Sequence, residues 1–219
     1  MHIDVNLQGA ELQLFPQRAV FWPQHETLFV ADTHLGKSTT FRRHGIPVPA
    51  GSTQATLDAI SGLLETTSAR QLVILGDMFH ARSSLSTDVR DAVTAFFNRH
   101  AEVGRQLVRG NHDAHVGPLP AEWSIDVVSP GLLMENVALG HHPTPPPPGA
   151  DLLLCGHLHP AVSLGRGQDR LGKLPCFWLS QNCLVLPAIG QFTGTHVVQL
   201  KRGERAWLIA DDQLIEQQP

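Results

Sequence analysis

An unbroken apolar run, Leu72-Val73-Ile74-Leu75, stops at Gly76 and is followed at once by a carboxylate, Asp77. Four apolar residues in succession suit a strand buried on both faces, as in the core of an α/β layered sandwich. Asp77 then stands at the carboxyl end of a core strand, the edge where open sheets place their ligands. A purely hydrophobic strand has no use for an acid there, whereas a site that holds cations does.

The same pattern recurs along the chain. Thr27-Leu28-Phe29-Val30-Ala31 ends in Asp32-Thr33-His34. Gln106-Leu107-Val108 leads into Arg109-Gly110-Asn111-His112-Asp113. Leu132 to Leu139 reads as one strand, or as a strand pair turning near Glu135-Asn136, and delivers Gly140-His141-His142. Asp151 to Cys155 runs into Gly156-His157-Leu158-His159. Carboxyl ends of a parallel-type sheet share one edge, so these groups are expected to converge. Singly they mean little: a D-x-H tripeptide arises by chance, and G-D is a common turn. Residues i and i+2 on extended chain face the same side, which makes G-H-x-H more telling. The joint set mixes carboxylate, imidazole and one amide, a mixture that suits manganese, iron or zinc better than calcium or magnesium. The set draws on an unusual composition, 13 histidines against no tyrosine.

Between these strands the periodicity predicts a helix from Gln54 to about Thr67, with Leu57, Ile60, Leu63 and Leu64 on one face and Ser52 or Thr53 as cap. A second helix is predicted from Ser86 or Thr87 to about His100, with Val89, Val93, Phe96 and Phe97 inward. Further strands are expected near Glu11–Phe15, Ala19–Trp22, Ile125–Val128, Pro175–Leu179, Cys183–Pro187, His196–Leu200 and Ala206–Ala210. Leu35 to Gly51 reads as an irregular loop carrying Lys37, Arg42, Arg43 and His44, with Phe41 among them. The four prolines within Thr144–Gly149 read as a stiff, exposed spacer.

A chain of 219 residues supports one large core, and a single domain spanning 1–219 is expected. Its net charge of −4 argues against holding nucleic acid by bulk charge; contact with DNA or RNA would need a local patch and bound cations. Three cysteines, 155, 176 and 183, are too few and too irregular for a disulfide framework and suit a reducing cytosol. The N-terminus lacks a signal-peptide pattern, and no apolar run approaches a membrane span, so a cytoplasmic location is expected.

The ordered motifs Asp32-x-His34, Gly76-Asp77, Gly110-Asn111-His112-Asp113, His141 and Gly156-His157-x-His159 resemble those of the calcineurin-like metallophosphoesterases. The resemblance implies a four-layer sandwich, two facing mixed sheets flanked by helices. It implies two divalent transition-metal ions, manganese foremost. Asp32, His34 and His159 would hold one; Asn111, His141 and His157 the other; Asp77 would bridge them. His142 remains an alternative to His141, although the following Pro143 favours extended backbone that turns its side chain away. Such a metal pair generates a nucleophile from water and offsets phosphoryl charge. His112 would then donate a proton to the leaving group or stabilise the transition state, with Asp113 orienting it and His80 beside it.

Gly76-Asp77-Met78-Phe79-His80-Ala81-Arg82, Ala31 to Lys37 and His141-His142-Pro143 are similar to a bacterial subgroup, the ligase-associated DNA damage response endonucleases. That similarity implies a manganese-dependent phosphodiesterase cutting single-stranded or flexible DNA in repair, with DNA ligase and helicase as partners. Arg82, Lys37, Arg42 and Arg43 are the candidate substrate-binding cations, and Phe41 could stack on a base. Two alternatives stand beside this reading: the same chemistry on a nucleotide-like phosphodiester or monoester, and a non-catalytic scaffold of the same fold. The scaffold would require lost ligands, and every motif position is filled.

Overall fold

A computed structural model describes residues 1–43, 45, 48, 51–165 and 172–219. His44 and the side chain of Arg43, both part of the expected basic patch, lie outside the described residues.

Two mixed sheets face each other. The first has the order β1-β2-β3-β4-β5-β6-β7. Its strands are β1 (Ile3–Leu7), β2 (Ala10–Phe15), β3 (Ala19–Trp22), β4 (Thr27–Val30), β5 (Gln71–Leu75), β6 (Gly104–Val108) and β7 (Asp126–Val128). β1 to β4 form an antiparallel meander, and β4 to β7 run parallel. The second sheet joins β8 (Leu132–Met134), β9 (Val137–Leu139), β10 (Leu152–Cys155), β11 (Pro160–Leu164), β12 (Gly172–Ser180), β13 (Cys183–Val185), β14 (His196–Val197), β15 (Arg205–Ala210) and β16 (Gln213–Gln217). Within it β9, β10 and β13 are mutually parallel. Leu132 to Leu139 is thus a hairpin, turning at Glu135 with φ 51°.

The inner faces share one core, in which Leu14, Trp22, Phe29, Val73 and Leu75 meet Leu139, Leu154, Phe177, Leu184 and Trp207. A second core lies between the first sheet and two helices, α2 (Ser52–Thr67) and α3 (Thr87–Arg99), which bury Leu57, Ile60, Leu63, Leu64, Val89, Val93, Phe96 and Phe97 as the 3.6-residue pattern required. Ala150, Leu158 and Leu200 pack over the outer face of the second sheet. Among the described residues no helix is long and apolar enough to cross a membrane.

The stretch expected to be irregular contains a helix, α1 (Lys37–Arg43). Its glycines and prolines lie outside the seven helical residues, and tertiary hydroxyl contacts compensate for weak Ser/Thr propensity. The Ser38 hydroxyl accepts from Ser52 Oγ at 2.7 Å, and Thr40 Oγ1 lies 3.2 and 3.4 Å from the hydroxyls of Ser83 and Ser84. Thr53 Oγ1 accepts from the Gly36 amide at 3.1 Å. Ser52 and Thr53 therefore tether α1 instead of capping α2, which starts at Ser52 behind Gly51 with no side-chain cap. Three strands carried no clear signal: β1 and β16 are short polar-apolar alternations, and β11 opens on a proline.

Candidate metal centre

Parallel strands deliver every metal-capable motif to one rim. β4, β5 and β6 end at Asp32, Asp77 and Asn111; β9 and β10 end at His141 and His157. Backbone bonds lock these ends together. The His34 and Leu35 amides donate to the Asp77 and Met78 carbonyls at 3.0 and 2.9 Å, and the Gly156 amide to the His141 carbonyl at 3.1 Å. Asp32, His34, Asp77, His157 and His159 all adopt left-handed backbone, with φ of 53, 42, 52, 73 and 50°. Non-glycine residues held there cost roughly 1–3 kcal/mol each, strain that the surrounding packing must impose. Gly76 tolerates no side chain, because a Cβ would overlap the His141 ring.

Two clusters of acceptors result. In the first, His159 Nε2 lies 3.4 Å from His34 Nε2 and 3.5 Å from Asp32 Oδ1. The Nδ1–H of His159 donates to the Gly194 carbonyl at 2.9 Å, which leaves Nε2 with a bare lone pair. In the second, His141 Nε2 lies 3.0 Å from Asn111 Oδ1 and 3.4 Å from Asp77 Oδ1, while its Nδ1–H donates to the Leu75 carbonyl at 3.0 Å. Asp32, Asp77 and His141 form a group of their own, so the clusters adjoin. Asp32 Oδ1 is buried with no hydrogen-bond partner.

Carboxylate, amide and imidazole groups that converge this closely are held together by a shared proton or by a cation among them. Ligands each about 2.1 Å from one ion stand roughly 3.0–3.4 Å apart at octahedral or tetrahedral angles. The observed spacings and the orphaned Asp32 oxygen fit bound cations. The electrostatics agree. Burial, then the charge of Lys37, push His34 down to about 3, so it is neutral as a ligand must be. Burial raises the Asp77 carboxyl, but hydrogen bonding and charge from His141, together with the amide and charge of His112, outweigh it and hold the acid at about 2. Burial lowers His141 less than Asp77 and Asp32 raise it. A field that draws a proton to that ring draws a cation in its place.

His157 donates its amide to Asp32 Oδ2 at 2.8 Å, and its ring packs 5.0 Å from His141 and 4.2 Å from His142. His141 is fully buried and faces Asp77, whereas His142 is exposed on the rim yet within reach of a group with His141 and His157.

His112 lies with Nε2 3.8 Å from Asp77 Oδ2 and Nδ1 2.7 Å from the His80 carbonyl. The ring of His80 stacks on it at 4.9 Å. Asp113 does not take the orienting role expected of it. Its carboxylate accepts from the amides of Asp77, Gly110 and Met78 at 2.8, 2.8 and 3.0 Å, tying two strand ends together, and the His80 carbonyl holds the imidazole instead. Lys37 reaches toward the centre and lies 5.6 Å from the Phe41 ring; burial lowers its pKa against the pull of Asp32 and Asp77. Arg42 is exposed and donates to Thr39 Oγ1 at 3.3 Å, and Arg82 is exposed at the start of a 3-10 turn.

The sequence pattern gave no sign of the segment from Ile189 to Thr195. Ile189 and Gly190 donate to the Ala31 and Asp32 carbonyls, and Gly194 orients His159. The available signal was another apolar run, Cys183 to Ile189, closed by Gly190; it offers carbonyls instead of ligand side chains.

Two facing mixed sheets that pool carboxylates, imidazoles and an amide at one rim define a metallophosphoesterase fold. Residues 25–161 match the calcineurin-like phosphoesterase model, and the chain belongs to that family of hydrolases acting on phosphoesters. It is similar to the crystal structure of the Pseudomonas putida nuclease MPE, with 33% identity and a TM-score of 0.86, over 98% of this chain and 100% of that one. A phosphoesterase from E. coli, Yfce, matches at 18% identity and a TM-score of 0.43, over 87% of this chain and 97% of that one. No curated protein sequence matches it.

Proposed function

We propose that this chain is a metal-dependent nuclease that hydrolyses phosphodiesters of single-stranded or flexible DNA. The observation that carries the reading is the pair of adjoining clusters of metal-capable atoms, spaced 3.0–3.5 Å apart around a buried Asp32 oxygen that has no hydrogen-bond partner. Asp32, His34 and His159 would hold one divalent cation, Asn111, His141 and His157 the other, with Asp77 between them. The mixed oxygen and nitrogen donors favour manganese, iron or zinc. When bound, the cations acidify water and offset charge on the phosphoryl oxygens.

The protein's own residues supply the rest. His112, fixed through Nδ1 by the His80 carbonyl, keeps Nε2 free to carry a proton to the leaving oxygen. His80 stacks behind it and limits its rotation. Asp113 holds the strand ends that carry Asp77 and Asn111. Lys37, Arg42 and Arg82 would supply positive charge to the substrate backbone. A polymer substrate is favoured by the likeness to a solved nuclease over the whole chain. A repair role beside DNA ligase and helicase partners rests on the likeness of the Gly76–Arg82, Ala31–Lys37 and His141–Pro143 segments to the repair subgroup, and a cytoplasmic location on the sparse cysteines.

Manganese-loaded protein incubated with circular single-stranded DNA should linearise and then degrade the circles. Intact circles under conditions where bis(p-nitrophenyl) phosphate is hydrolysed would leave the small-molecule phosphodiesterase in place of the nuclease.

A further inference from the structure

Beside His159 the surface opens into a cavity of about 400 Å3, walled in part by Arg18, Gln191, Phe192, Thr193, Thr195 and His159 itself. One wall is the segment after β13, and it is clamped to the centre. The amides of Ile189 and Gly190 donate to the Ala31 and Asp32 carbonyls at 3.0 and 3.2 Å, and the His196 amide to the His159 carbonyl at 3.0 Å. A Cβ on Gly190 would overlap the Thr33 carbonyl, so the approach requires glycine. The bonds that orient His159 therefore also fix the cavity relative to the clusters.

Packing does not explain two residues of this wall. Phe192 is 42% exposed and sits on left-handed backbone with φ 57°, an aromatic ring kept out of the core at a cost in strain. Arg18 is half-buried, and its guanidinium donates to the Ala188 carbonyl at 2.9 Å. Among the described residues it has no carboxylate partner. A guanidinium offers five N–H donors, and one bond to a carbonyl leaves both its charge and most of its donors for an outside anion.

We infer that this cavity is a nucleotide subsite, in which Phe192 stacks on an unpaired base and Arg18 takes the adjoining phosphate of the strand entering the centre. The inference rests on the nuclease reading above. The volume falls within the ~300–1,000 Å3 of ligand sites. Stacking on Phe192 tolerates any base, and a base sandwiched in a duplex cannot reach it, so the subsite selects single strands without reading sequence.

The test uses metal-loaded protein and two substrates, a single-stranded oligonucleotide and bis(p-nitrophenyl) phosphate, which is too short to span centre and cavity. Phe192→Ala and Arg18→Gln should each lower kcat/KM for the oligonucleotide by roughly fivefold or more and leave the small diester within about twofold. Phe192→Trp should restore the oligonucleotide rate, and Arg18→Gln should flatten the log–log salt dependence by about 0.7. Equal losses on both substrates, or no loss on either, would overturn the subsite. Should wild type leave DNA intact, fluorescence anisotropy with a labelled oligonucleotide separates the two readings. Binding weakened by Phe192→Ala keeps the subsite and removes only the nuclease; binding indifferent to Phe192 removes both.

Discussion

Asp113 and His112 are neighbours in sequence with opposite surroundings. Asp113 accepts from four backbone amides, those of Asp77, Met78, Phe79 and Gly110, and belongs to the scaffold; His112 is about one-third exposed and its side chain makes one polar contact behind it. Replacing Asp113 by Ala leaves these amides without their acceptor, at about 1–3 kcal/mol each, so thermal unfolding should show a drop of several degrees together with metal loss. His112→Ala should leave the melting temperature and metal content near wild type while turnover collapses; metal loss in that variant would instead make His112 a ligand. Asp77→Asn should retain the fold and lose turnover, with less than the wild-type metal content by elemental analysis, because an amide offers one lone-pair oxygen where a carboxylate can serve two cations. The sequence pattern exposed these side chains because a carboxylate or imidazole behind an apolar run is conspicuous. It could not expose the carbonyls of Leu75, His80 and Gly194 that set the histidine tautomers, since every residue carries a carbonyl and only the fold decides which one faces a ring.

Strands β4, β5, β9 and β10 were legible because strands buried on both faces must be apolar, and β6 from its buried end at Leu107 and Val108; their stops were marked by glycine or by the ligands themselves. Helices α2 and α3 were legible from their buried stripes. Helix α1 was not, because it is held by hydroxyls reaching across from Ser52, Ser83 and Ser84, contacts that leave no periodic trace in the chain. That construction has a consequence for dynamics. A helix docked by hydroxyl pairs can open without unfolding the cores beneath it. Ser52→Ala removes the donor to Ser38 and strands a buried hydroxyl, a local loss of about 1–3 kcal/mol. Hydrogen exchange in Lys37–Arg43 should accelerate by one to two orders of magnitude, roughly what that loss implies at 1.4 kcal/mol per decade, while exchange in β5 stays unchanged. Acceleration spread over both segments would mean that α1 is part of the cooperative core.

The two sheets are joined at opposite depths by opposite chemistry. Deep between them, Trp22, Phe29, Phe177 and Trp207 exclude water, and each large side chain so buried contributes about 1.5–3 kcal/mol. At the rim they meet through Asp32, Asp77, Asn111 and the histidines, groups from both sheets that a bound cation would draw together. Metal binding is therefore coupled to the stability of the whole molecule as well as to its chemistry. At a free metal concentration of about 100 times Kd, a cation that binds only the folded state adds ~2.7 kcal/mol. For a domain of this size that corresponds to roughly 5–10 °C in melting temperature. Chelation should lower the melting temperature of the wild type by about that amount, and added Mn2+ should reverse it. In Asp77→Asn the response should shrink, because the group shared between the clusters is weakened. A melting temperature changed neither by chelator nor by added Mn2+ would mean that protons suffice to neutralise the rim, and that cations are guests of the fold instead of part of what holds the two sheets together.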